Sequence, residues 1–344
     1  MAGEKKRSSD DREFRIAEPA PMLALFATAA VASSLHGAPR RVQPQLPPPL
    51  NGLALTPPMT WSSWGSFGCL INETHMLATA DAFVKLVLVK AGYNTLQIDD
   101  CWSVKVDLPN NVTGRDPATG ELLPNATKWP RGLRFIADYL RARGLHLGIY
   151  TDIGQHTCAG YPGSYGHYCQ DAATFSSWGI TYVKQDFCGP RPVTNCGHPT
   201  LLGGEGCYSN MSKCLLAQSP KIVYGLCSWG SDAPWTYGRK IGANLWRTSA
   251  DMQHCWESVM RTVDNQIVAL DAAGPGGWND MDELFLGTYA NGMSLDERQT
   301  MFNFFVIFAS PLSSGDNVLL PSFDANVSRM YTNVEVIQCY PPTV

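Results

Sequence analysis

Two rhythms of hydrophobic positions alternate along the chain from Met59 onward. Short runs crowded with aliphatic, β-branched and aromatic side chains read as buried strands. They are MTWSSW (59–64), NTLQID (94–99), LHLGIYTD (145–152), TYVKQD (181–186), KIVYGLC (221–227), NLWRTSA (244–250), GWNDM (277–281) and SPLSS (310–314). Between them the apolar residues recur at helical spacing. In LRFIADYLRARG (133–144) they line one face, and Gly144 is placed to stop the helix. Strand and helix alternating through eight strand runs predict a (β/α)8 TIM barrel. The competing architecture is an open doubly wound sheet, but no Gly-x-Gly-x-x-Gly follows the first strand.

The segments outside this rhythm set the expected boundaries. Residues 1–37 read as a signal-like N-terminal segment, 38–58 as a Pro-rich linker and barrel entry, and 59–344 as the catalytic barrel. Met22 to Ala32 is a short apolar run ending in Ala-Val-Ala, like the core and cleavage site of a signal peptide, and too short to span a bilayer. The charged stretch before it is unusual for such a signal, which makes Met22 an alternative start. Residues 189–214 are Gly-rich with three cysteines and read as a long, disulfide-tied loop after the fourth strand.

Composition narrows the function classes. With 44% hydrophobic and 16% charged residues, the chain has ample material for a core. A net charge of −4 without a basic stripe argues against nucleic acid. Eleven cysteines and five Asn-x-Ser/Thr sequons, at Asn72, Asn111, Asn125, Asn210 and Asn326, fit a glycoprotein of the secretory route, secreted or lysosomal/vacuolar. Ten Trp and thirteen Tyr would suit sugar faces, although most aromatics serve the core.

Reactive groups of a barrel gather at the C-terminal ends of its strands. Those ends carry Trp64, Asp99, Asp100, Tyr150, Asp152, Lys184, Asp186, Arg247, Asp251, Trp278, Asp280 and Asp282. Strand alternation puts Tyr182, Lys184 and Asp186 on one side, and Arg247, Ser249 and Asp251 likewise. A site rich in Asp and Trp, without a Ser/His pair, points to polyol binding and acetal chemistry, for which two carboxyl groups must flank the scissile bond. Taken alone, Asp186 could equally cap a loop or pair with Lys184. The triplets HTC (156–158) and HYC (167–169) could hold zinc.

Six motifs, LALTPPMTWSSWGSFGC, YNTLQIDDCW, LGIYTDIGQHTCAGYPGSYGH, YVKQDFC, WRTSAD and AGPGGWNDMD, resemble in order and spacing the α-galactosidase (melibiase) family, glycoside hydrolase family twenty-seven. The resemblance runs from about residue 50 to the C-terminus. It implies a retaining exo-glycosidase on a (β/α)8 barrel, without metal or cofactor. A small β-sandwich follows the barrel in that family, and by this comparison is essentially missing here. The resemblance gives Asp186 the nucleophile's role and Asp251 that of the acid/base. Asp99 and Asp100 would grip galactose O4 and O6, Lys184 and Arg247 would bind ring hydroxyls, Trp64 and Tyr150 would line the sugar pocket, and Asp282 would lie beside it. Cys69–Cys101 and Cys158–Cys188 resemble the family's disulfides, which turns Cys158 away from zinc and His167 into part of a turn. Cys196, Cys207, Cys214, Cys227, Cys255 and Cys339 have no assigned partner, and an odd total leaves at least one thiol over.

Two charge states are expected from this reading: Asp186 ionised with Lys184 lowering its pKa, and Asp251 kept protonated by burial and a negative neighbour. Departures from the family pattern fall at Thr60, Gln185, Phe187 and Glu283, where an apolar residue is usual at the last. Ser228 stands where α-galactosidases often carry an acid; with Ser231, also small, it resembles the α-N-acetylgalactosaminidases, which need room for an acetamido group. The expected substrates are α-galactoside oligosaccharides or glycoconjugates, with α-N-acetylgalactosaminides or β-L-arabinopyranosides as alternatives and a catalytically inactive carbohydrate-binding barrel as the different-class reading. A homodimer is compatible with this reading.

Overall fold

A ring of parallel strands forms the centre of the computed structural model, which describes residues 46–110, 112–189, 196, 204–287 and 292–339. The strands are β1 (Met59–Ser62), β2 (Thr95–Ile98), β3 (His146–Asp152), β4 (Ile180–Asp186), β5 (Val223–Cys227), β6 (Leu245–Arg247), β7 (Trp278–Asp280), β8 (Glu283–Leu284) and β9 (Leu312–Ser314). Every pairing is parallel, in the order β7-β6-β5-β4-β3-β2-β1-β9-β8. All eight predicted strand runs are present. The ninth strand arises because the seventh position is split. β7 pairs with β6 and β8 with β9, and only Met281 and Asp282 separate the two halves. Asp282 takes φ 83°, a left-handed backbone that Asp tolerates better than most residues. The two halves together complete an eight-position (β/α)8 ring.

Strands covered on both faces are buried throughout, and β1 and β2 are buried at every position, with apolar residues alternating with the polar Thr60, Ser62, Thr95 and Gln97. Helices pack outside. The helix Gly132–Arg141 buries Leu133, Ile136, Ala137 and Leu140, one stripe at helical spacing, and Gly144 follows at φ 74°. Most aromatics do serve the core: Trp61, Trp129, Trp246 and Trp278 are fully buried. Trp278 packs with Tyr182 and Leu245 and donates its indole N–H to the Ala54 carbonyl (2.7 Å), at the end where the chain enters the barrel.

The described part of the Pro-rich stretch, residues 46–58, forms no regular element, yet it is tied to the base of the barrel. Asn51 and Asn244 exchange side-chain amide hydrogen bonds (2.7 and 3.0 Å), and the buried Arg239 guanidinium donates to the Pro47, Gly274, Pro275 and Gly277 carbonyls. Residues 1–45 lie outside the described residues, so the expected boundary at residue 37 does too. No helix among the described residues is long and apolar enough to cross a membrane.

Candidate active site

The C-terminal strand ends converge on a cavity of about 350 Å³. Just after β2 come Asp99 and Asp100, from β3 Tyr150, from β4 Lys184 and Asp186, from the end of β6 Arg247, from the segments after β6 and β7 Asp251 and Asp282, and Trp64 stands at the rim. The structure therefore brings together every catalytic and sugar-binding residue that the resemblance implied except Ser228, while the strand-end candidates Asp152, Trp278 and Asp280 do not line the cavity.

Three polar clusters divide the wall. In the first, the Lys184 ammonium donates to Asp99 Oδ2 (2.9 Å), which also accepts from the Gln97 amide (2.9 Å). Burial works against the lysine's charge, but the Asp99 carboxylate and its neighbours outweigh it, so the ammonium stays charged. Asp100 accepts the N–H groups of Cys101 (2.7 Å) and Ala159 (2.9 Å). In the second cluster, Arg247 lies between two carboxylates, Asp282 (2.9 Å) and Asp251 (3.0 Å). Asp282 also accepts the Met252 N–H (2.7 Å), which fixes the loop that carries Asp251.

Asp186 forms the third cluster. One carboxylate oxygen accepts the Phe187 N–H (2.9 Å) and the other the Tyr150 hydroxyl (3.0 Å). The loop behind it is shaped by Asp152, fully buried, which accepts N–H groups from Gly154 (2.6 Å), Cys188 (2.7 Å) and Gly189 (3.1 Å). Gly189 cannot be replaced here without movement, because a Cβ would lie 2.1 Å from the His156 carbonyl oxygen.

Two charge-state expectations need correction. Lys184 pairs with Asp99 rather than Asp186, and burial, the largest influence, pushes Asp186 up to about 7 against the lysine's opposing pull, with the Asp152 charge adding to the rise. Asp251 is not buried as expected: its side chain is 67% exposed and paired with the Arg247 guanidinium. Asp280, half-buried near Arg247, is pushed up to about 6 chiefly by desolvation.

Ser228 is fully buried, donates to Asp232 Oδ1 (2.6 Å) and does not line the cavity. Asp232, which the sequence reading missed, also accepts the Tyr237 hydroxyl (2.7 Å) and the Gly204 N–H (2.8 Å). Also missed were Gln253, His254 and Phe285, which line the mouth beside Trp64. The His254 and Phe285 rings lie 3.9 Å apart. They sit in loops beyond the strand ends, where no periodicity marks them.

Both disulfides implied by the resemblance are present, Cys69–Cys101 and Cys158–Cys188, and two more join Cys169 to Cys214 and Cys196 to Cys207. The zinc reading of HTC and HYC thereby loses its thiolates. Among the described residues, Asp152, Cys158, Asp186 and Cys188 offer potential ligand atoms within 4.8 Å of one another, but the two sulfurs are bonded to each other. Cys227, Cys255 and Cys339 keep free thiols. Of the sequons, Asn72 caps the helix Glu73–Lys85, Asn125 accepts the Thr127 N–H (3.0 Å), Asn210 lies on the helix Glu205–Leu216 and Asn326 on the helix Ala325–Tyr331; Asn111 lies outside the described residues.

A (β/α)8 ring with carboxylates, two cations and aromatics around one mouth defines the class of protein. Residues 56–339 match the melibiase family described as alpha galactosidase A, and the chain belongs to that family. It is 38% identical over 288 residues to the alpha-galactosidase of Cyamopsis tetragonoloba, covering 83% of this chain and 64% of that protein. The probable alpha-galactosidase of Dictyostelium discoideum is 37% identical over 287 residues, at 83% and 68% coverage. The chain thus spans about two thirds of the length of these relatives. An alpha-galactosidase structure from Saccharomyces cerevisiae superposes with a TM-score of 0.75 at 31% identity, covering 86% of this chain and 66% of that one. A β-L-arabinopyranosidase from Geobacillus stearothermophilus shares the fold at a TM-score of 0.70 and 21% identity, over 83% and 77% of the two chains.

Proposed function

We propose that the protein is a retaining glycoside hydrolase that removes terminal α-linked galactose from oligosaccharides or glycoconjugates. Asp186 attacks the anomeric carbon and forms a glycosyl ester, while Asp251 gives its proton to the departing glycosidic oxygen. Asp251 then takes a proton from water, whose oxygen attacks the same carbon and releases Asp186. Asp99, Asp100, Lys184 and Arg247 hold the ring hydroxyls, with Trp64 and Tyr150 against the sugar. The observation that carries this reading is the setting of Asp186. It is buried at a strand end, oriented through both oxygens by Tyr150 and Phe187, and shares one cavity with a second, solvent-reachable carboxylate on Arg247.

The α-N-acetylgalactosaminidase alternative asks for space at Ser228, whose hydroxyl is instead committed to Asp232 behind the wall. Four disulfides fit an oxidising compartment, and so a secreted or lysosomal/vacuolar glycoprotein. The deciding experiment is a panel of p-nitrophenyl glycosides: α-galactoside, α-N-acetylgalactosaminide and β-L-arabinopyranoside. The α-galactoside is expected to be hydrolysed best. Preference for either other sugar would reassign the substrate, and galactose binding without turnover of any of them would leave a carbohydrate-binding barrel.

A further inference from the structure

Glu283 opens β8, immediately past the kink at Asp282, and its side chain turns into the mouth of the barrel. The residue is only 6% exposed, yet it lines the cavity, and its Oε2 has no hydrogen-bond partner. The atom occupies space that two glycines leave open. A Cβ at Gly65 would come within 3.0 Å of it and one at Gly315 within 2.5 Å. Native proteins rarely leave such an oxygen unpaired, so an unpaired carboxyl oxygen on a cavity wall needs an explanation. Elsewhere in this cavity the carboxylates are engaged: Asp99 by Lys184, Asp251 and Asp282 by Arg247, Asp186 by Tyr150.

The groups that face Glu283 decide its form. Asp282 is its chain neighbour, Asp99 reaches it from the end of β2, Lys184 from β4 and the Ser62 hydroxyl from β1. Burial, followed by the Asp282 charge, pushes its carboxyl up to about 8 against Lys184 and Ser62. At neutral pH it is therefore an acid with an O–H to give and an oxygen to receive.

We propose that Glu283 is a substrate-binding residue that hydrogen-bonds a sugar hydroxyl at the Asp99–Lys184 side of the cavity and so selects pyranosides that carry a polar substituent there. The assignment rests on the glycosidase reading. It adds a donor of a kind the other wall carboxylates, all paired to cations or to donors, cannot supply.

The test compares wild type, Glu283→Gln and Glu283→Leu on p-nitrophenyl α-galactoside between about pH 5 and 9. Glutamine keeps the shape and a donor, whereas leucine keeps neither. Glu283→Leu should raise KM about tenfold with a smaller change in kcat, and Glu283→Gln should stay within about threefold of wild type. As pH rises through the Glu283 pKa the donor is lost, so wild-type KM should climb while that of Glu283→Gln stays level. An unchanged KM in Glu283→Leu, equal losses in both variants, or the same alkaline rise in Glu283→Gln would each overturn the inference. Should Glu283→Leu fail to fold, the pH comparison between wild type and Glu283→Gln decides alone. Wild-type protein without activity on any glycoside removes the glycosidase reading and this inference together; wild-type activity with an indifferent Glu283 removes the inference only.

Discussion

A carboxylate that attacks an anomeric carbon must be ionised when substrate arrives, and Asp186 sits where burial opposes that. With its pKa pushed up to about 7, kcat/KM should fall as pH drops through that value, because the free protein then holds Asp186 protonated. A pH–rate profile with no acid limb near there would show that another group governs attack. The same shift acts on stability with a definite sign. A carboxyl raised above its unfolded pKa of about 4 favours folding when protonated, and that contribution is lost as pH rises toward about 7. Asp186→Asn should therefore abolish turnover on both activated and natural galactosides, and also melt higher than wild type at pH 8, the difference vanishing near about pH 4. Turnover near wild-type level would remove the nucleophile assignment. The identities of these residues were legible from strand ends, but their pairings were not. Lys184 and Asp186 share a strand face, yet the lysine reaches Asp99 across the barrel mouth, a relation set by ring closure that no local pattern encodes. Ser228 failed for a similar reason: its place in the chain marks a strand end, while its direction is set by Asp232.

At the level of elements, the loops after β3 and β4 are held together by Cys158–Cys188, beside the Asp186 carboxylate. The two cysteines are 30 residues apart, and closing such a loop is worth about 3–4 kcal/mol in the chain-entropy model. Peptide mapping of the non-reduced protein should recover the crosslinked pair, and replacing both cysteines by serine should lower the melting temperature and the activity together, since the same loop orients Phe187 N–H on Asp186. Retained activity in the serine variant would separate the bridge from the site. The strands and the helix Gly132–Arg141 were legible because their buried positions repeat at the periods the backbone imposes. The break between β7 and β8 was not, since Met281 and Asp282 carry no Gly or Pro to announce it. That break matters, because it turns Asp282 toward Arg247 and sets Glu283 on the cavity wall.

Across the whole molecule, the barrel separates where it is held from where it reacts. The strand rhythm alone revealed the ring, but composition could not show that residues 46–58, Pro-rich and without regular structure, are fastened to its base through Asn51 and Asn244. Asn244 precedes β6, while Arg247 closes the same strand at the mouth. Asn244 is fully buried and also accepts the Tyr224 N–H (3.1 Å) and donates to the Gly276 carbonyl (3.0 Å). Asn244→Ala would strand several buried polar groups at once, each costing about 1–3 kcal/mol. The expected outcome is a clear fall in melting temperature with KM for the α-galactoside nearly unchanged, because stability determinants at the base of a barrel act apart from the chemistry at its mouth. Thermal melts and steady-state kinetics on the same preparation make the comparison. A rise in KM matching the loss of stability would mean that the strand transmits disorder from base to mouth, and that the two ends of this barrel are not independent.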